Sequence, residues 1–150
     1  MTQKLLLTFA LIMMAFCPGF AQEPDYLCFT AEEDDDYVKL TPYIYDSSDP
    51  LPAISLEYKL GDGAWVSYTL DTEISLPNVG DKVYLRATST NPAFCRDDYN
   101  SWYYFELGGK TAASGNIMSL LDKTCTQTSV PDNAFNSLFD SCDDLTSAPS

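Results

Sequence analysis

ISLEYKLGDGAWVSYTL, residues Ile54 to Leu70, reads as two strand-like runs joined by a Gly-Asp-Gly turn. On the first run Ile54, Leu56, Tyr58 and Leu60 alternate with Ser55, Glu57 and Lys59, the period of a strand with one buried face. The second run carries Val66, Tyr68 and Leu70 on one face and Trp65, Ser67 and Thr69 on the other. A hairpin sets both apolar faces on the same side, which fixes the parity of the loop. With Leu60 opposite Ala64 across Gly61-Asp62-Gly63, Tyr58 faces Val66, Leu56 faces Tyr68, Ile54 faces Leu70, and every apolar residue lands inward. Gly63 then takes the left-handed conformation that a three-residue loop needs. A one-residue slip would bring Trp65 inward and set Ser67 and Thr69 among the apolar positions. Trp65 is therefore expected outside, next to Lys59.

The same alternation recurs on both sides of this hairpin. Tyr26 to Ala31 reads as a first strand with Leu27 and Phe29 on one face. Glu32-Glu33-Asp34-Asp35-Asp36 ends it, since five adjacent carboxylates are expected in an exposed turn. The pattern resumes over Tyr37 to Leu40 and Tyr43 to Tyr45, with Pro42 suiting an edge or a bulge. After the turn cluster at Asp46 to Pro52 and the hairpin come a short EISL strand and the turn Pro77 to Asp81. Val83, Leu85 and Ala87 then alternate with Tyr84, Arg86 and Thr88. Beyond a polar loop from Ser89 to Ser101, Tyr103, Phe105 and Leu107 alternate with Trp102, Tyr104 and Glu106. About seven short strands separated by turn residues, with no helical segment among them, predict an Ig-like antiparallel β-sandwich. It is assigned to residues 22–108, with Gly108-Gly109 as its boundary.

Past that boundary the spacing turns helical. Ile117, Leu120 and Leu121 share a face behind a cap at Ser114 or Asn116, predicting a short helix within a linker over 109–128. In residues 129–150, Phe135, Leu138, Phe139 and Cys142 fall at the steps of a helix stripe behind Pro131, and Leu145 to Pro149 reads as extended. A helix and a short extended piece of about 20 residues have the size of one solenoid repeat, which cannot bury its own apolar face. The reading is of a first, truncated leucine-rich repeat, with Ser150 expected to be internal to a longer protein.

Composition narrows the function. Eight basic residues face 22 acidic ones, there is no histidine, and the net charge is -14. Such a surface repels phosphate backbones, so nucleic acid is not an expected partner. Without histidine, Ser-His-Asp and Cys-His catalysis and every His-containing zinc site are excluded. Residues 1–21 read as a secretory signal peptide: Lys4 supplies the positive end, Leu5 to Phe16 the apolar core, and Gly19-Phe20-Ala21 the cleavage site before Gln22. A lipoprotein signal modified at Cys17 is the competing reading, with Phe16 standing where a small residue belongs. The apolar run is short for a membrane span, and the mature chain carries no other candidate. Cleavage removes Lys4 and no acid, so the net charge moves to -15. Cys28, Cys95, Cys125 and Cys142 remain, and four cysteines allow three pairings. Cys28 and Cys142 fit equally as small buried hydrophobes, while Cys95 and Cys125 lie in loop-like segments and are the first pair to consider.

Strand parity leaves Trp65, Tyr84, Trp102 and Tyr104 pointing outward. Exposed aromatics on a sheet stack on sugars or anchor protein partners; the plainer reading is that a loop or the repeat covers them. The run Glu32 to Asp36 clusters carboxylate oxygens of the kind calcium takes, with Asp34, Asp35 and Asp36 as candidate ligands, but lacks the alternating spacing of a defined calcium loop. A solvated turn is the plainer reading. Asp97-Asp98 and Asp143-Asp144 are carboxylate pairs, yet in open loops nothing raises one pKa above the other, so no acid and base are assigned. No catalytic residue and no cofactor are expected.

LCFTAEED from Leu27, ISLEY from Ile54, GDKVYLRA from Gly80, ASGNIMSLLDKT from Ala113 and FxxLFxxCxxLTxAP from Phe135 to Pro149 occur in that order. Together they resemble the N-terminal region of BspA-type leucine-rich repeat surface proteins of anaerobic gut bacteria, over nearly the whole mature chain. The resemblance implies an exported cell-surface or extracellular protein with a β-sandwich ahead of a repeat array. It implies a role in adhesion or binding to host or matrix proteins, and no catalytic residues. Two features depart from it: Asp34-Asp35-Asp36 stands where a glycine-containing turn is expected, and only the first repeat is present. A carbohydrate-binding accessory module of a secreted glycan-utilisation system, or a structural spacer holding a repeat array, are the alternative expectations.

Overall fold

The computed structural model describes residues 24–45, 51–91, 94 and 101–150. Among these residues nine strands form two sheets: β1 (Leu27–Ala31), β2 (Asp36–Ile44), β3 (Leu56–Leu60), β4 (Val66–Ser67), β5 (Ile74–Leu76), β6 (Lys82–Ala87), β7 (Ser101–Leu107), β8 (Thr111–Ser114) and β9 (Leu145–Ser147). The larger sheet runs β4-β3-β6-β1-β8-β9 and the smaller β5-β2-β7, and all pairings are antiparallel except β8 with β9. The chain is mainly β, a sandwich of two sheets.

The core lies between them. Leu27, Phe29, Leu56, Val83, Leu85, Ala87 and Ala113 come from the large sheet, and Val38, Leu40, Ile74, Leu76, Tyr103 and Phe105 from the small one. Each is the inward residue of an alternating strand, so the period of two seen in the sequence is the physical division between core and surface. Phe29 and Phe105 meet edge to face across the sheets at 4.8 Å.

The hairpin takes the expected register. Tyr58 lies opposite Val66 and Glu57 opposite Ser67, and the Tyr68 amide donates to the Leu56 carbonyl at 2.9 Å. Two details differ. The turn closes through the Gly63 amide on the Leu60 carbonyl, and the positive φ of 49° falls on Gly61, its first central residue, not on Gly63. Leu60 and Val66 point to the core side but stay 45% and 50% exposed, because the smaller sheet does not extend beneath the tip of the hairpin.

Strand β2 is continuous through Pro42. The Gly108 amide donates to Tyr37 O, so odd-numbered residues of β2 bond to β7 and even-numbered ones point the other way. Pro42 points toward the β5 side at a level beyond the end of β5, where no ladder bond is lost. The acidic turn differs from expectation at its last member: Asp36 opens β2 and is 2% exposed, its carboxylate taking the Thr111 hydroxyl at 2.6 Å and the Tyr37 amide at 2.6 Å.

The expected boundary at Gly108-Gly109 is a bend between two strands of the sandwich. A Cβ on Gly108 would run into the Tyr37 ring, so glycine suits the close approach. Beyond it β8 pairs with β1 in the large sheet. The short helix expected behind it is a 3-10 helix, Ile117–Leu120, with Asn116 as its cap accepting from the Met118 amide. Ser119 Oγ accepts from the Leu27 amide and donates to Leu85 O, bridging β1 and β6.

The helix expected over Phe135 to Cys142 does not form. Residues 131–145 are a succession of turns closed by bonds three residues apart, and Asn133, Phe135, Ser137 and Ser141 all have positive φ. Tertiary packing overrides the helical spacing: Leu138 is buried, Phe139 packs on Phe29 and Phe105, Phe135 on Phe94, and the Phe105 amide donates to Leu138 O. Leu145 is half-buried at the start of β9, beside Thr111. The segment fastens on β7 and, through β9, on β8, closing that side of the sandwich.

Candidate binding surface

On the outward face of the large sheet, register sets Glu57 opposite Arg86 and Lys59 opposite Tyr84. Arg86 organises this face. Its Nε donates to Glu57 at 2.6 Å, its Nη1 to the Tyr26 hydroxyl at 3.0 Å, and its guanidinium lies 3.7 Å from the centroid of the Trp65 ring. Tyr26 meets Trp65 edge-on at 5.1 Å. Lys123 adds a second cation 3.2 Å from Glu57. Burial pushes the Glu57 carboxyl up, but the bonds from Arg86 and Lys123 outweigh it and hold the carboxyl below its ordinary value. Trp65 is thus outward and beside Lys59, whose Nζ is 5.2 Å from its ring, yet one of its faces is already occupied by a cation.

Tyr84 stands in a different position. Two depressions of about 520 and 580 Å³ share Tyr84, Gly61 and Asp62. The first lies on the outward face and is completed by Pro24, Asp25, Tyr26 and Lys59. The second lies at the end of the sandwich, against Leu60, Ser75, Leu76, Pro77 and the Gly80-Asp81-Lys82 turn. The Lys59 ammonium is 5.1 Å from the Tyr84 ring. Burial, with Cys28 next and the Asp62 and Asp25 charges adding to it, raises the Tyr84 phenol above its ordinary pKa, so it remains a neutral donor throughout the physiological range. Aromatic edges, a neutral hydroxyl, carboxylates and an amine line these two adjoining depressions.

Trp102 and Tyr104 lie elsewhere. They are the outward residues of β7, on the smaller sheet, where Trp102 stacks on Tyr43 with ring centroids 4.3 Å apart and 24° between planes. Four residues that share an outward parity in the sequence thus fall into two pairs on opposite sides of the sandwich. Parity assigns a residue to a face of its own sheet and is silent on which sheet that is.

The candidate calcium ligands are held apart by other work. Asp34 accepts the Val79 amide, Asp35 carries the left-handed turn with φ of 59°, and Asp36 is buried against Thr111. Among the described residues no group of three or more acidic, cysteine or histidine side chains is placed to hold a metal ion. Asp143 and Asp144 lie in an exposed turn beside a recess of about 140 Å³; Asp97 and Asp98 lie outside the described residues. Cys28, Cys125 and Cys142 are free thiols. The expected Cys95–Cys125 pairing falls on Cys95, which lies outside the described residues. Cys142 donates to Phe105 O at 3.1 Å, and burial, with Asp140 and Asp143 nearby, raises its thiol to about 11.

Arg86, Tyr26, Asp25 and Asp62 were not singled out in the sequence. Arg86 and Glu57 were legible as outward residues of neighbouring strands, and their opposite charges were the available signal. Asp25 and Asp62 line one depression only because the residues before β1 and the β3–β4 turn flank Tyr84 of β6, the strand that lies between β1 and β3.

Fold and surface define a mainly β protein of two sheets with a groove at the tip of its central hairpin. In comparison with known proteins, no family model, no curated protein and no solved structure matches the chain. Among the described residues no helix is long and apolar enough to cross a membrane.

Proposed function

We propose that the chain is an exported, non-catalytic binding or adhesion module of a BspA-type surface protein. The groove shared by Tyr84 and Asp62 is the observation that carries the binding role. The Ig-like assignment is supported by connectivity. β2 pairs with β5, β3 with β6, and β4 extends β3, as strands B with E, C with F and C′ with C do in that fold. The outer positions beside B and F are filled by β7 and β1. The repeat reading draws support from β9, since its parallel pairing with β8 is the pairing stacked repeats need.

A host or matrix protein is the first partner class. A glycan is the second, favoured by Tyr26 and Tyr84 standing beside the Asp25 and Asp62 carboxylates, which accept from sugar hydroxyls. The test is binding of the full chain to immobilised matrix glycoproteins, before and after deglycosylation, with Tyr84→Ala as the probe. The variant should weaken binding at least tenfold while leaving the melting temperature nearly unchanged. Binding indifferent to Tyr84→Ala, or no binding to any of them, would overturn the assignment.

A further inference from the structure

The sandwich is closed on one side and open on the other. Residues 131–147 cover the β7 and β8 edges, whereas among the described residues β4 and β5 are the free edges of their sheets on the opposite side. Ladder parity identifies what the β5 edge presents. Even-numbered residues of β2 bond toward β5, so Asp36 with Leu76 and Val38 with Ile74 are the hydrogen-bonded pairs. Ser75, opposite Tyr37, therefore directs its amide and carbonyl away from the sheet, along the wall of the 580 Å³ depression. The facing wall carries Leu60, with Val66 beside it on the core side of the hairpin, both left uncovered. A free strand edge beside uncovered aliphatic side chains is the arrangement by which an added strand docks.

The charge selects the occupant. Asp62 and Asp81 line the depression, Asp71 and Glu73 precede β5, and Lys82 is the one cation among the lining residues, on a chain of net charge -14. We propose that this cleft binds an extended peptide segment of a basic partner protein, with aliphatic side chains alternating with Lys or Arg, added to the small sheet as a fourth strand beside Ser75. The inference rests on the binding-module reading and gives its partner a chemistry.

The probe is a synthetic octapeptide of alternating valine and lysine, titrated into the isotope-labelled full chain and followed by amide shifts and hydrogen exchange, with a valine–glutamate peptide as control. The Ser75 amide should shift and gain protection, and the glutamate peptide should bind at least tenfold more weakly. Ser75→Pro removes only the outward donor, since the β2 ladder does not use it, and should weaken the lysine peptide at least tenfold. Leu60→Ser, at a half-exposed site, should do the same and serves if the proline variant does not fold. Lysine-peptide binding unaffected by both variants, or without change at Ser75, overturns the proposal as general attraction to an acidic surface. Matrix-protein or glycan binding that needs Tyr84 but not Ser75 overturns it while leaving the module reading standing. Absence of all binding overturns both.

Discussion

The Arg86 guanidinium lies over the Trp65 ring, 3.7 Å from its centroid, while its Nε donates to Glu57 at 2.6 Å. Trp65 therefore serves the sheet before any ligand. Its large surface joins β4 to β6 across the intervening β3, in a part of the sheet where β4 contributes only two residues. Trp65→Ala should cost about 2 kcal/mol in denaturant unfolding. A double-mutant cycle with Arg86→Ala should give a coupling of about 1 kcal/mol, and independent effects would show that the stacking adds nothing.

The buried end of the acidic turn depends on one hydroxyl. Thr111→Val keeps the shape but takes the donor from the Asp36 carboxylate, and should cost about 2 kcal/mol. One residue earlier the opposite sign is expected. Asp35 holds φ at 59°, so Asp35→Gly should stabilise by about 0.5 kcal/mol, relief of strain outweighing the greater freedom of the unfolded chain. A Thr111→Val variant as stable as the parent would contradict the first assignment, and an Asp35→Gly variant no more stable than the parent the second.

Leu138 is 1% exposed although it lies in a segment built only of turns. If residues 131–147 are part of the sandwich core, Leu138→Ala should lower the stability of the entire domain by about 2 to 5 kcal/mol in a single cooperative transition. A separate early transition that leaves the sheets intact would mean that the segment is only loosely appended.

Stability should fall at both ends of the pH range. The Thr124 hydroxyl and amide, with Thr126, hold the Asp122 carboxyl down to about 2. Bonds from Arg86 and Lys123 lower Glu57 against its burial, and those from Lys39 and Tyr37 lower Glu106. A depressed carboxyl contributes stability that is present above its unfolded value, near 4, and is lost as pH falls toward 2. Lys39 and Tyr37 are raised by hydrogen bonds with Glu106, and Tyr68 by burial. Their contribution is present below about pH 10 and lost as pH rises through the folded values. Melting temperature measured from pH 2 to 11 should show both limbs, and Asp122→Asn should flatten the acid one.

Local alternation by itself determined most of the strands, the hairpin register and the outward position of Trp65, because a period of two and a short turn are properties of neighbouring residues. Asn116 as a helix cap was readable for the same reason. Only the tertiary structure decided that Trp65 and Trp102 face opposite ways, that Gly108-Gly109 lies inside the sandwich, that Asp36 is buried, and that Phe135 to Cys142 is held in turns. Each depends on a partner distant in the chain: Asp36 on Thr111, Phe139 on Phe29, Leu138 on Phe105. A helical spacing of apolar residues states only that they are to be buried together; the β7 and β8 side of the sandwich, which they close, set the backbone shape that buries them.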